Sequence, residues 1–263
     1  MRATLVVPTL NEARSIAHVL RRFRTAASEA NTTIFSGAPV DWEVLVVDGA
    51  SADGTAAIAE AEGVRVITER RRGYGRAYKT GFAAAQGEVL ATADGDATYP
   101  VEMVPGLVKK LLDERLDFLT GNRFAQLDRK AMTTEHWIGN RLLNLFLDVA
   151  YHRYLKGVPG GVLEDSQSGF WVFRRELLER FHLTQDGMAF SEELKLEAIL
   201  RGVRILEIPI PYSERWGPPK LSSWRDGTRN FLFLVEKRFA VAREGWSGAP
   251  MAPANGVKGR ASP

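Results

Sequence analysis

Short apolar runs alternate with stretches of helical spacing over the first half of the chain. Thr4–Val7, Val44–Val47, Val64–Ile67 and Val89–Thr92 are rich in β-branched residues, and each predicts a strand buried on both faces. Phe118–Thr120 predicts a shorter fifth strand. Between them, Glu12–Ala30, Asp53–Ala61, Arg76–Gln86 and Val101–Glu114 place apolar residues at helical intervals. Strands alternating with helices predict a doubly wound, mostly parallel α/β sheet with right-handed crossovers and helices on both faces.

Farther on, 133–156 predicts a long helix, closed by the Gly-Pro break Gly157–Gly161. A strand at Gly169–Phe173, a helix at Ser191–Arg201 and a strand at Arg204–Ile208 follow. Pro209–Asp226 is rich in Pro, Gly and aromatics and predicts a structured loop, and 227–244 predicts a helix with an apolar stripe and a basic flank. The resulting organisation is one α/β domain over 1–226, a C-terminal helical extension over 227–246 and a Gly/Ala/Pro/Ser-rich tail over 247–263 expected to be disordered.

Composition narrows the chemistry. The chain has no cysteine and four histidines, which excludes disulfides and thiolate sites and leaves oxygen ligands for any metal. Lys and Arg number 35 against 32 Asp and Glu, so the balance gives no case for nucleic acid. No stretch approaches the ~18 apolar residues of a membrane span, and the N-terminus lacks a signal peptide's apolar core. A cytoplasmic protein that can touch a membrane face without crossing it is expected.

In an open α/β sheet, ligands bind at the carboxyl ends of the strands. Strand one runs into Pro8, Thr9, Leu10, Asn11 and Glu12; strand two ends at Asp48, followed by Gly49 to Thr55; strand four leads into Asp94-Gly95-Asp96. Asn11, Ser51 and Asp53 also read as caps and turn residues. Asp48 and the Asp94/Asp96 pair are harder to dismiss, because an acid at the end of a buried strand needs a partner and two adjacent acids repel. A divalent cation would relieve that repulsion.

The set VVPTLNE, VVDGASADGT, RRGYGRAYKTG and ATADGDATYP resembles glycosyltransferase family 2, in particular its polyprenyl-phosphate sugar synthases such as dolichol-phosphate mannose synthase. GNRF, DSQSGFWVFRRE, FSEELKLEAILRGVRILEIPIPYSERWG and KLSSWRDG extend the likeness to about residue 230. The resemblance implies a GT-A fold and an inverting transfer of mannose, glucose or N-acetylglucosamine from GDP-mannose or a UDP-sugar to a polyprenyl phosphate. It implies that Pro8, Leu10, Asn11, Glu12, Asp48, Gly75 and Asp94 contact the nucleotide, and that Asp94 and Asp96 hold Mg²⁺ or Mn²⁺. Thr98 stands where many relatives carry Gln, which leaves a third protein ligand open. Arg123, Arg141, Arg215 and Lys220 are implied around phosphate groups, where the arginine fork matches phosphate oxygens in pairs. Asp96, Asp165, Arg123 and Arg215 form the implied catalytic set.

Three points stay open at this level. Asp165 is the candidate base if the acceptor is a hydroxyl, and a positioning group if the acceptor is an anionic lipid phosphate. Asp94-Gly95-Asp96-Ala97-Thr98 also fits the DxDxT motif of a phosphatase, although that motif ordinarily ends a first strand; a degenerate, purely binding transferase is the non-enzyme alternative. Trp216, Trp224, Phe231, Phe233 and Phe239 stand among Arg215, Lys220, Arg225, Arg229, Lys237 and Arg238, a mixture that suits either an anionic membrane interface or packing on the domain.

Overall fold

A computed structural model describes residues 1–127, 134–217 and 223–243; the tail expected over 247–263 and Lys220 lie outside them. The strands are β1 (Arg2–Thr9), β2 (Asp41–Asp48), β3 (Arg65–Thr68), β4 (Val89–Thr92), β5 (Phe118–Leu127), β6 (Trp171–Arg174) and β7 (Ile205–Tyr212). They form one sheet in the order β3-β2-β1-β4-β6-β5-β7. Pairing is parallel except at β6, which runs antiparallel to both β4 and β5. The helices are α1 (Ile16–Thr32), α2 (Thr55–Ala61), α3 (Tyr74–Ala84), α4 (Val104–Asp113), α5 (Thr134–Tyr151), α6 (Phe190–Leu200) and α7 (Ser223–Arg243).

The period-2 alternation of each strand sends side chains to two cores. Leu5 and Val7 pack with Ile16, Leu20 and Phe23 of α1 and with Leu107 and Leu111 of α4. Val6, Leu45 and Val47 pack on the other face with Tyr78 and Phe82 of α3 and with the α5, α6 and α7 group. Both faces are therefore covered, as the apolar runs predicted. α6 is buried at every position, and two of its acids are paired there: Glu193 accepts from Thr184 and Gln185, and Glu197 pairs with Arg201 and Lys237.

Two expectations are corrected. β5 continues seven residues past Thr120, because pairing with β7 carries the strand where its hydropathy signal stops; Arg123 lies inside β5 rather than after it. The proline-rich segment opens as strand, not loop: Pro209 and Pro211 belong to β7. They are tolerated because β7 is an edge strand with β5 as its one sheet neighbour, so a missing N–H breaks no second ladder.

Candidate active site

Because β1 lies between β2 and β4, the loops leaving their carboxyl ends stand side by side. Each contains one non-glycine residue at positive φ: Asn11 at 52°, Ala50 at 56° and Ala97 at 67°. Asparagine tolerates that region, but an alanine there costs about 1 kcal/mol and persists only where its surroundings dictate it. The surroundings do so. Gly49 N donates to Thr9 O at 2.8 Å, and Thr98 N donates to Asp96 Oδ1 at 3.1 Å.

The first two loops are stitched together. Asn11 N donates to Ser51 Oγ (2.8 Å), Ala52 N to Asn11 Oδ1 (2.9 Å), Glu12 N to Thr55 Oγ1 (2.8 Å) and Ala13 N to Asp53 Oδ2 (3.0 Å). Asp48 is buried and accepts from Thr9 Oγ1, Ser51 Oγ and Ser51 N at 3.0, 2.6 and 2.9 Å. The turn reading of Ser51 and Asp53 therefore holds, and the carboxylate of Asp48 shapes the same loop. Pro8 in β1 and Leu10 just beyond it are half-buried beside this seam.

Above the seam lies the acid pair. Asp94 Oδ1 accepts from the phenols of Tyr74 and Tyr78, each at 3.3 Å, and Asp96 Oδ1 accepts from Thr98 N and, at 2.6 Å, from Thr98 Oγ1. Burial, then the Asp96 carboxylate, push Asp94 up to about 7. Arg215, from the loop after β7, supplies positive charge here: its Nη2 donates to Glu12 Oε1 at 2.8 Å and lies 3.3 Å from Asp96 Oδ2. The donor set, two hard carboxylates on one short loop, fits a hard divalent cation that keeps positions open for ligand oxygens. Among the described residues no group of three His, Cys, Asp or Glu side chains that could hold a metal ion is found. Thr98 orients Asp96 through its N–H and its hydroxyl.

The tyrosines were not legible in the sequence, because nothing near Tyr74 or Tyr78 signals an acid sixteen to twenty positions away. Partners that orient a metal-binding carboxylate commonly influence affinity by 10–100-fold. Tyr74→Phe is expected to weaken Mn²⁺ binding about tenfold with little change in Tm; unaltered Mn²⁺ affinity by calorimetry would take Tyr74 out of this role.

Elsewhere the structure redistributes the expected roles. Asp165 is fully buried and Arg123 is 8% exposed; Arg123 Nε and Nη2 meet the two Asp165 oxygens at 2.8 Å each. Asp165 also accepts from the backbone N–H of Arg123, Gln167 and Ser168. Burial opposes its ionisation, but Arg123 and then Lys195 outweigh burial and hold its carboxyl below the ordinary range. In this arrangement both Asp165 oxygens are taken up by Arg123, and two of the three guanidinium nitrogens of Arg123 are directed at Asp165. At Gly75, implied as a nucleotide contact, the backbone N–H groups of Gly75 and Arg76 donate to Gly187 O and Asp186 O, and a Cβ on Gly75 would meet Phe190 at 2.5 Å. Arg141 is exposed on α5, with its guanidinium over the rings of Phe124 and Trp137 at 5.1 and 5.6 Å. Glu192, missed in the sequence, is fully buried on α6, and burial pushes it up to about 8 against the opposing pull of Lys195.

The model of the glycosyl transferase family 2 matches residues 4–181. The low-salt glycan biosynthesis hexosyltransferase Agl6 of Haloferax volcanii is 32% identical over 88% of this chain and 52% of its own length, so the chain spans about half of that relative. A dolichyl-phosphate hexose transferase of the same organism is 34% identical over 70% of this chain and 76% of its own. The polyprenol monophosphomannose synthase of Mycolicibacterium smegmatis is 29% identical over 89% and 85%. Among solved structures, the glucosyl-3-phosphoglycerate synthase of Mycobacterium tuberculosis in complex with Mn²⁺, UDP-glucose and phosphoglyceric acid superposes with a TM-score of 0.70 over 90% of this chain and 80% of that one, at 21% identity. That last likeness is one of fold, and it matches the GT-A architecture.

Proposed function

This chain belongs to glycosyl transferase family 2, and from that premise we propose that it moves a hexose from a nucleotide-sugar donor to a polyprenyl phosphate, with inversion at the anomeric carbon. One observation carries the reading: the loops after β1, β4 and β7 bring Glu12, Asp94, Asp96 and Arg215 into one cluster at the carboxyl edge of the sheet. Asp94 and Asp96 hold the cation, Mg²⁺ or Mn²⁺, both of which accompany UDP in solved complexes of the synthase of matching fold. When bound, such a cation neutralises the charge that builds on the departing diphosphate. Arg215 meets phosphate oxygens with its fork of donors. The seam of Pro8, Leu10, Asn11, Glu12 and Asp48 receives the nucleoside, and the donor is GDP-mannose, with UDP-glucose and UDP-N-acetylglucosamine next.

The state of Asp165 favours a lipid phosphate over a hydroxyl acceptor. A hydroxyl needs a base to remove its proton, and Asp165 is tied to Arg123. A phosphate monoester arrives as an anion and needs none. The relatives named as a dolichyl-phosphate hexose transferase and a polyprenol monophosphomannose synthase support the same choice.

An acceptor of this kind lies in a membrane, and the surface offers a means of reaching it. Ile138, Leu142, Leu145 and Val149 form an exposed stripe along α5, and Phe231, Leu232 and Phe239 one along α7. Phe146 and Phe231 join them edge to face at 4.9 Å. Phe233 and Leu234 point into the core, so α7 serves both packing and surface. Exposed Arg141, Arg153, Arg229 and Arg243 flank the stripes, which suits the anionic cytoplasmic leaflet. Among the described residues no helix is long and apolar enough to cross a membrane. Leu142→Glu with Leu145→Glu is expected to reduce co-flotation with vesicles containing anionic lipid by about tenfold while leaving Tm within a few degrees; flotation equal to the parent would remove this face from membrane contact.

The activity is tested by incubating the protein with each labelled donor, Mn²⁺ and a polyprenyl phosphate in detergent, then counting label in the organic phase. Metal-dependent transfer from one donor is the expected result. Label that enters only water-soluble hydroxyl acceptors would sink the lipid-phosphate reading.

A further inference from the structure

We propose that Arg215 is the built-in countercharge of the acidic pocket, one that a divalent cation must displace from Asp96 and that the donor diphosphate then takes over. The inference rests on the reading of Asp94 and Asp96 as the cation site.

A single guanidinium nitrogen of Arg215 stands between carboxylates from two different loops, 2.8 Å from Glu12 Oε1 and 3.3 Å from Asp96 Oδ2. The backbone carrying it is anchored to the same acidic loop: Ser213 N donates to Thr98 O at 3.1 Å and Trp216 N to Asp96 O at 3.2 Å. The Trp216 ring stacks on His18 of α1 at 4.7 Å and 21°. The main chain thus delivers the side chain to the pocket whatever the side chain then binds.

The fork itself is only partly used. Arg215 Nε is buried and has no hydrogen-bond partner, whereas Arg123 has both Nε and Nη2 closed on Asp165. The two arginines differ: Arg123 directs two nitrogens at one carboxylate, whereas Arg215 Nε has no acceptor among the described residues. Carboxyl groups also outnumber it, with Glu12, Asp94 and Asp96 around one guanidinium.

A cation that arrives alone must compete for Asp96 Oδ2 and then sits beside a guanidinium of like charge. A cation that arrives with a diphosphate meets neither obstacle, because the phosphate oxygens offer the fork a bidentate partner. Cation and nucleotide should therefore strengthen each other's binding by the same factor, as linkage requires.

The test measures Mn²⁺ binding from the resonance of the free ion, with and without UDP or GDP, for the parent, Arg215→Gln and Arg215→Lys. Arg215→Gln removes the countercharge and is expected to bind Mn²⁺ alone about tenfold more tightly, the effect of a change of ~1.4 kcal/mol, while the gain from adding nucleotide shrinks. Arg215→Lys keeps the charge without the fork; Mn²⁺ alone should bind it as it binds the parent, with the nucleotide gain still reduced. Mn²⁺ binding to Arg215→Gln no tighter than to the parent overturns the proposal, provided thermal melts of both coincide. If the parent binds no Mn²⁺ even with nucleotide, the cation reading itself has failed, and this proposal with it.

Discussion

Asp96→Asn is expected to lower kcat by about 10³-fold or more while the protein still folds. The substitution keeps the size of the side chain and an oxygen that can accept from Thr98 N and Oγ1, so the positive φ of Ala97 keeps its support. What it removes is one of the two negative charges that, on the proposed reading, hold the cation. A bound metal contributes several kcal/mol to stabilising charge on a leaving group, and each ~1.4 kcal/mol is tenfold in rate. Turnover with saturating Mn²⁺ and a thermal melt decide the matter together. A variant within tenfold of the parent rate would mean that Asp96 does not hold the metal.

Asp165→Ala is expected to produce the largest loss of stability, about 3–5 kcal/mol, because it leaves the Arg123 guanidinium buried and unpaired. It also strips three backbone N–H groups of their acceptor. For a chain of this size that amounts to a fall in Tm on the order of 10 °C. Arg123→Met with Asp165→Leu removes both charges and should recover much of the loss. Calorimetry of the single and double variants checks this. Additive destabilisation in the double variant would contradict a coupled buried pair.

The first prediction concerns an acid legible in the sequence and the second an acid whose task was not. Asp94 and Asp96 stood out because an acid at the end of an apolar strand requires a partner, and the chain places them there directly. The same rule pointed to Asp48 and Glu12. Asp165 was visible only as an acid in a segment resembling a family motif. Its partner arrives from β5, 42 positions earlier, on a strand whose hydropathy pattern had already ended. The surroundings of Gly75 were hidden for a related reason: the 186–187 backbone meets the N-terminus of α3 from more than a hundred positions away, and a Cβ on Gly75 would meet Phe190.

Elements themselves were read well, because each strand and helix is declared by a local period that burial on two faces enforces. The seven strands and seven α-helices found among the described residues follow from that period. The sequence by itself determined the doubly wound fold, the family and the three loops that carry Glu12, Asp48 and the Asp94/Asp96 pair. Tertiary structure alone decided that β6 runs against its neighbours, that Tyr74 and Tyr78 hold Asp94, that Arg123 is closed on Asp165 and that Arg215 is not closed. The physical reason is distance along the chain: periodicity is a property of neighbouring residues, whereas a charge takes its role from whichever partner the fold brings to it, here Glu12 for Arg215 across 203 positions.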